Sequence, residues 1–519
     1  MGSPHTTDED SVPEIAPCIT RKRPLVNGQP QPQTRRRALR QLLSVRLCAA
    51  VLISCQVSIA FAQSEAGRFL AAVPGESALS ASDETHSVAD VQTQLLELQK
   101  QIDALKHAKA VEMPSVPPTA AMAKPEPPKY PTVRLTGFFQ ADAAWFHQDA
   151  NNRLTIGNGV PADGDIQDGA DFRRARLAAV GKVWDNVNYM LEMDFAFPGR
   201  PSFMDVWMDI DNAIGSNSLR IGQFRQPIGM DGQTGVKDMT FLERGLPFAF
   251  LPFRQIGAMT YGHTQDEQIT WAFSGFRYPA DQFGGNVGDN GGYGMAARVT
   301  GLLVDSCDDS RLVHVGVGYS FLNPANDAVQ YRNQPEFFVG ENGAGVVPPG
   351  VPSQVPVFVD TGAIPTDNIN LFNAELAMSS GSFHAQSEIF YATVQQKGGP
   401  RVTYPGAYAQ AGYILTGETR AYNRKAGVFG RIKPKRSVGS ECGPGAWEVA
   451  GRWSYLDLSD SKSLGTGPGG RLNNITGGLN WYLNPYTKLQ LNYIHAFLDN
   501  PTFGNSDADV VAMRAQIDF

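Results

Sequence analysis

The residues of this 519-residue chain that could do chemistry are its charged ones, set at every second position of short apolar segments. Arg174, Arg176 and Lys182 alternate with Ala175, Leu177, Ala179, Gly181 and Val183. Glu192 and Asp194 alternate with Val187, Tyr189, Leu191, Met193 and Phe195. Asp185-Asn186 between the two runs suits a tight turn, which sets Arg176 near Asp194. Period two marks a strand with one apolar and one charged face. A packed interior rejects charges in mid-strand, whereas a water-filled lumen accepts them. The chemistry of such a face is electrostatic: it biases which ions pass.

Catalytic patterns are missing from the sequence. There is no H-E-x-x-H, P-loop or G-x-S-x-G, and the eight histidines are scattered. His314, His384 and His495 each sit alone in strand-like segments and read as wall residues. Asp163-Gly164-Asp165-Ile166-Gln167-Asp168 spaces carboxylates as a calcium loop does, but without the rest of that loop it reads as a solvated acidic turn. No catalytic residue, metal or cofactor is expected.

The elements that must position these charges are strands. The same alternation gives Ile269, Trp271, Phe273; Val313, Val315, Val317, Tyr319; and Ile475, Leu479, Trp481, Leu483. Sixteen segments begin near residues 132, 171, 187, 203, 218, 254, 268, 292, 311, 369, 383, 404, 446, 471, 487 and 508. Short turns (184–186, 265–267, 381–382, 484–486) alternate with long connections (147–170, 226–253, 279–291, 322–368, 459–470). An even strand count with this asymmetry is the layout of an antiparallel transmembrane β-barrel, the fold class expected for 132–519. Aromatic residues near segment ends (Trp145, Trp207, Trp447, Trp453, Trp481, Tyr482) fit interfacial girdles, with some facing inward. The chain ends in an alternating strand, Val511 to Phe519, and a C-terminal Phe resembles the signal read by the barrel-assembly machinery.

Residues 1–62 read as a leader. Arg35-Arg36-Arg37, the apolar stretch 47–62 and Ala60-Phe61-Ala62 fit a secretory signal, so export is expected. Lipoprotein processing at Cys55 and a misassigned start are the alternatives. Removal takes the net charge from -7 to -11 and leaves Cys307 and Cys442, both in connections on the short-turn side. Those two thiols either pair or stay free. That acidic balance excludes a nucleic-acid binder. After a polar linker (63–87), Val88, Val91, Leu95, Leu98, Ile102 and Leu105 form an a/d seam, so 88–112 reads as a short coiled-coil helix. A Pro-rich spacer follows at 113–131, a semi-rigid arm that separates the helix from the barrel.

Several motifs in order resemble the phosphate-selective porin family, the O and P type. They are Phe172-Arg173-Arg174-Ala175-Arg176-Leu177, Arg220-Ile221-Gly222-Gln223-Phe224, Gln226-Pro227-Ile228-Gly229, Thr240-Phe241-Leu242-Glu243-Arg244, Arg452-Trp453-Ser454 and Gly478-Leu479-Asn480-Trp481-Tyr482. The resemblance covers about 132–519. It implies a homotrimer of sixteen-stranded barrels in the lipid of a Gram-negative outer membrane, each with a pore narrowed by an inward loop. The candidate constriction is 226–253, which with its edges offers Arg225, Lys237, Arg244 and Arg254 beside Asp231, Asp238 and Glu243. Lumen-wall charges include Arg134, Arg174, Arg176, Arg220 and Arg452 against Glu192 and Asp194. Pairing that braces the wall is their first reading and anion selection the second.

Passive diffusion of small hydrophilic solutes or ions, with anions such as phosphate among them, is the leading function. A non-conducting barrel that anchors the outer membrane to peptidoglycan is the alternative, and a membrane hydrolase ranks last.

Overall fold

The computed structural model describes residues 129–196, 201–279, 292–306, 311–338, 355–439 and 442–519, together with positions 93, 96–101 and 103. Two units divide the chain, 1–121 and 122–519. In the first, residues 96–101 are helical, while the leader, the 63–87 linker and the rest of the heptad seam lie outside the described residues. Of the spacer, only 129–131 are described, and Cys307 also falls outside.

Sixteen long strands make up the second unit. They are β1 (Arg134–Gln148), β2 (Gly169–Trp184), β3 (Val187–Asp194), β4 (Ser202–Ile214), β5 (Asn217–Arg225), β6 (Arg254–His263), β7 (Ile269–Arg277) and β8 (Tyr293–Asp305). Then come β9 (Arg311–Asn323), β10 (Ile364–Ser380), β11 (Phe383–Gln396), β12 (Val402–Ile414), β13 (Ala446–Asp457), β14 (Arg471–Asn484), β15 (Thr487–Asn500) and β16 (Gly504–Asp518). Every expected segment has its strand; the largest offset is at β10, which starts at 364 rather than 369.

Each strand pairs antiparallel with the next. The last returns to the first, from Phe138↔Asp518 to Gln148↔Ala508, so the sheet closes and has no edge. At that seam Gly137 and Phe519 exchange N–H···O bonds of 3.0 Å in both directions. A Cβ on Gly137 would lie 2.5 Å from the Arg176 carbonyl oxygen and 2.8 Å from the Phe519 ring, so only glycine fits there.

The two faces of the wall are inverted relative to a soluble protein. In β15 Lys488, Gln490 and Asn492 are buried toward the lumen while Leu489, Leu491 and Tyr493 are exposed. In β16 Arg514 and Gln516 are buried while Val511, Met513 and Ile517 are exposed. Water on the outside would oppose this arrangement, and hydrocarbon requires it. Two of the aromatics considered for girdles point inward: Tyr482 is buried with its hydroxyl on Glu448 at 2.7 Å, and Trp207 lies under the Arg220 guanidinium at 4.0 Å. Trp447 and Trp481 stack on one another at 4.9 Å.

One connection breaks the short-turn pattern. Residues 415–445 join β12 to β13 on the short-turn side, yet Arg420, Tyr422, Val428, Phe429 and Ile432 within it are buried. The basic run 431–436 reads from the sequence as a solvated turn; Lys433, Lys435 and Arg436 are exposed in keeping with that, whereas Arg431 departs from it and pairs with Asp518 at 2.6 Å and Asp238 at 3.2 Å.

Val317, near the centre of β9, is 61% exposed on the outer face. We expect Val317→Arg to destabilise the barrel by about 2–4 kcal/mol, the cost of a guanidinium in mid-bilayer. Urea unfolding in lipid vesicles measures it, and an unchanged midpoint would contradict the outward assignment of this face.

Candidate functional site

The loop 226–253 leaves β5 and returns to β6, and most of it is buried inside the barrel. An inward loop has carbonyls with no strand to pair them, and side chains of the wall and of the 415–445 connection take them. Lys488 Nζ donates to the Met239 carbonyl at 2.9 Å and Asn480 Nδ2 to that of Thr240 at 2.8 Å. Arg452 Nη1 donates to the Glu243 carbonyl at 2.8 Å, and Arg420 Nη2 to that of Asp238 at 2.9 Å. In return, the Glu388 carboxylate accepts from the backbone N–H of Met230 at 2.7 Å and Asp231 at 2.8 Å.

Glu243 anchors the loop. Its carboxylate meets Arg173 at 2.9 Å, Arg174 at 2.9 Å and Arg514 at 2.8 Å. Strict alternation sends Arg173 to the lipid if Arg174 faces the lumen, so the pair needs a fault in the ladder. A β-bulge supplies it: Gln140 pairs with Arg174 while Ala141 pairs with Phe172, leaving Arg173 as the extra residue. Sequence reasoning missed Arg173 as a lumen residue, although two adjacent arginines in an alternating strand were the available signal. Burial favours a protonated Glu243 carboxyl, but Arg173, Arg174 and Arg514 outweigh it and hold its pKa well below the ordinary range. Asp231 goes the other way, since its burial outweighs the pull of Arg244 and Arg452 and raises its pKa.

With the loop fixed, the lumen divides unequally. Across β8–β14 it is filled and braced: Arg298 pairs with Glu375 at 2.7 Å and Arg452 with Glu336 at 2.8 Å. His314 faces Glu375 at 3.2 Å and the Tyr422 hydroxyl at 2.6 Å, and His384 faces Glu448 at 2.5 Å. Along β1–β6 two cavities remain. The first, about 330 Å³ toward the long-loop end, is lined by Arg173, Arg174, Arg176, Arg244 and Arg254 against Asp194 and Glu243. The second, about 320 Å³ toward the short-turn end, has Arg176, Arg220, Arg225 and Lys237 against Glu192 and Asp205. Arg176 and Val236 line both.

The sequence-derived positions therefore separate. Arg225, Lys237, Arg244 and Arg254 all line a cavity, as do Arg174, Arg176, Glu192, Asp194 and Arg220. Arg176 holds Asp194 at 2.7 Å, directly across the hairpin. Arg452 instead belongs to the braced side, and Arg134 is exposed at the start of β1. His495 faces Asp509 at 2.6 Å in β16, and Cys442 is exposed, with no disulfide among the described residues. Carboxylates match most of the lining cations, as Arg254 with Asp205 at 2.6 Å and Arg220 with Asp209 at 2.6 Å. Arg225 and Arg244 differ. Arg225 donates to the carbonyls of Gln233 and Thr234 at 2.8 and 2.9 Å, and Arg244 to those of Asp231 and Thr234, both at 2.8 Å. Neither forms an ion pair among the described residues.

A closed barrel with an apolar outside, a charged lumen and a loop folded in from the wall defines the outer-membrane channels called porins. The model of the family Phosphate-selective porin O and P matches residues 141–519, and the chain belongs to that family. It is similar to Porin O of Pseudomonas aeruginosa, 23% identical over 67% of this chain and 81% of that protein. An uncharacterized protein of Caulobacter vibrioides is 25% identical over 83% of this chain and 89% of its own length. Among solved structures, the anion-selective porin from Comamonas acidovorans aligns with a TM-score of 0.42 at 12% identity, over 75% of this chain and 99% of that one. The protein resides in the outer membrane of a Gram-negative bacterium, where it is a channel.

Because the Glu243 carboxyl titrates below its ordinary 4.5, its contribution is complete above that pH and is lost only as pH falls through the depressed value. We expect open-channel conductance to stay level from neutral pH down through 4.5. Glu243→Gln, which breaks a buried pair at a cost of about 3–5 kcal/mol, should loosen the loop and raise both conductance and current noise at neutral pH. A conductance step near 4.5, or a quiet mutant channel, would contradict the anchoring role.

Proposed function

We propose that this porin conducts small anions by passive diffusion along the β1–β6 wall, with no catalytic step. The observation that carries the reading is the state of Arg225 and Arg244, a half-buried and a buried guanidinium held by carbonyl oxygens and in no ion pair among the described residues. A buried unpaired charge is costly, and a mobile counter-ion from solution relieves that cost. The surrounding lining agrees in sign: Arg173, Arg174, Arg176, Arg220, Arg225, Lys237, Arg244 and Arg254 against Glu192, Asp194, Asp205 and Glu243. Confinement between low-dielectric walls strengthens this local field. The acidic balance of the whole chain does not oppose it, because exposed charges are screened beyond roughly 8 Å in physiological salt. Phosphate, named in the family's description, is one candidate solute. The functional unit in this reading is a homotrimer, with the 88–112 heptads and the Pro-rich spacer as its periplasmic extension.

The test is the reversal potential across a planar bilayer under a KCl gradient. Wild type should prefer chloride. Arg244→Glu should lower the chloride-to-potassium permeability ratio by about tenfold, equivalent to about 1.4 kcal/mol. A cation-selective wild type, or a ratio that the substitution leaves unmoved, removes Arg244 and the anion reading together.

A further inference from the structure

The cations of the passage are stacked on aromatic rings. Arg173 lies 5.2 Å from the Phe338 ring, Arg254 4.7 Å from Phe253, and Arg244 5.0 and 5.2 Å from Phe248 and Phe253. Further along, Arg176 lies 5.5 Å from Phe138 and Arg220 4.0 Å from Trp207. The cavity toward the long-loop end consequently has a lining of two unlike kinds. Charged groups, the guanidiniums with Asp194 and Glu243, are interleaved with the apolar side chains of Phe203, Met204, Phe248, Pro252, Phe253 and Phe338.

Phe253 is held there against its backbone preference. Its φ is +53°, a left-handed conformation that bulky side chains rarely adopt. The carbonyl of Phe253 accepts from Gln226 N–H at 2.7 Å, closing the base of the loop, and the ring meets Phe248 edge-on at 4.8 Å. The outcome is a ring between Arg244 and Arg254 that also faces the cavity. Strain of this kind is retained where the surrounding structure uses it.

Such a lining suits some anions better than others. Inorganic phosphate is hydrated on every side, and an apolar wall removes water without returning hydrogen bonds. An anion with an aromatic body can set its charged head on the guanidiniums and its ring against the phenyl groups. About 330 Å³ is room for such a molecule with some of its water. We propose that this cavity is a binding site for aromatic anions, a planar apolar body carrying one carboxylate or phosphate group, and that the passage takes these in preference to inorganic phosphate. The inference rests on the anion-conducting reading above and narrows it to a solute class.

Chloride current through the mature, full-length protein in planar bilayers provides the assay, with block by added anions as the readout. Phenyl phosphate should half-block at about tenfold lower concentration than either orthophosphate or methyl phosphate, which share its head group. Phe253→Ala should bring the three concentrations together. Phe248→Leu should narrow the gap by the same route, and it keeps the test decisive if the Phe253 variant fails to assemble. Equal half-blocking concentrations in the wild type, with chloride preference intact, would overturn the aromatic site and leave the anion reading standing. So would a gap that survives in an assembled variant. A wild type that prefers potassium before any blocker is added would overturn both.

Discussion

The carboxylate of Glu243, set among three arginines, is the constraint on which the lumen depends. Two of the arginines come from β2 and the third from β16, strands that flank the seam strand β1 on either side. One loop residue thereby fixes the loop to both of β1's neighbours. The arrangement requires that Arg173 and Arg174 both turn inward, which alternation forbids and the bulge opposite Gln140 and Ala141 permits. A local irregularity in one ladder sets where the loop stands and how much of the lumen it fills.

Charged residues do two different jobs in this barrel, and the difference lies in their partners. Arg298, Arg452 and Arg514 meet carboxylates in geometry close enough to offset desolvation, and around them the lumen is packed. Arg225 and Arg244 are hydrogen-bonded by carbonyl oxygens, which orient a guanidinium without cancelling its charge, and form no ion pair among the described residues. Bracing by ion pairs thus runs through the whole wall, and the proposed anion attraction turns on the two arginines that form none among the described residues.

How much of this was legible in the sequence follows from which forces impose a period. Lipid on one side and water on the other force alternation on every strand, so all sixteen strands could be read from spacing alone. The Arg176–Asp194 pair was legible as well, because a tight turn fixes the register on which it depends. Loops carry no such period. Glu336 of the 324–363 connection and Arg420 of 415–445 reach the lumen from segments whose path only packing decides, so their contacts with Arg452 and Thr240 left no pattern to find. In the basic run 431–436 the exposed residues fit a solvated turn, and the inward turn of Arg431 alone left no signal, for the same reason. Lys237, Arg244 and their edge residues could be named as candidates from their position in one long loop, but not which of them would form no ion pair.

The last strand carries a share of the loop's fastenings out of proportion to its place in the chain. Arg514 of β16 meets Glu243, Gln516 donates to the Lys237 carbonyl at 3.2 Å, and Asp518 faces both Lys237 and Arg431. A barrel closed around a lumen the inward segment had not entered would bury Arg514 and Asp518 without all their partners, and a segment in place beside an open seam would lack part of its mooring. Sealing of the cylinder and occupation of its interior therefore favour one another energetically, and an unplugged but closed barrel is disfavoured.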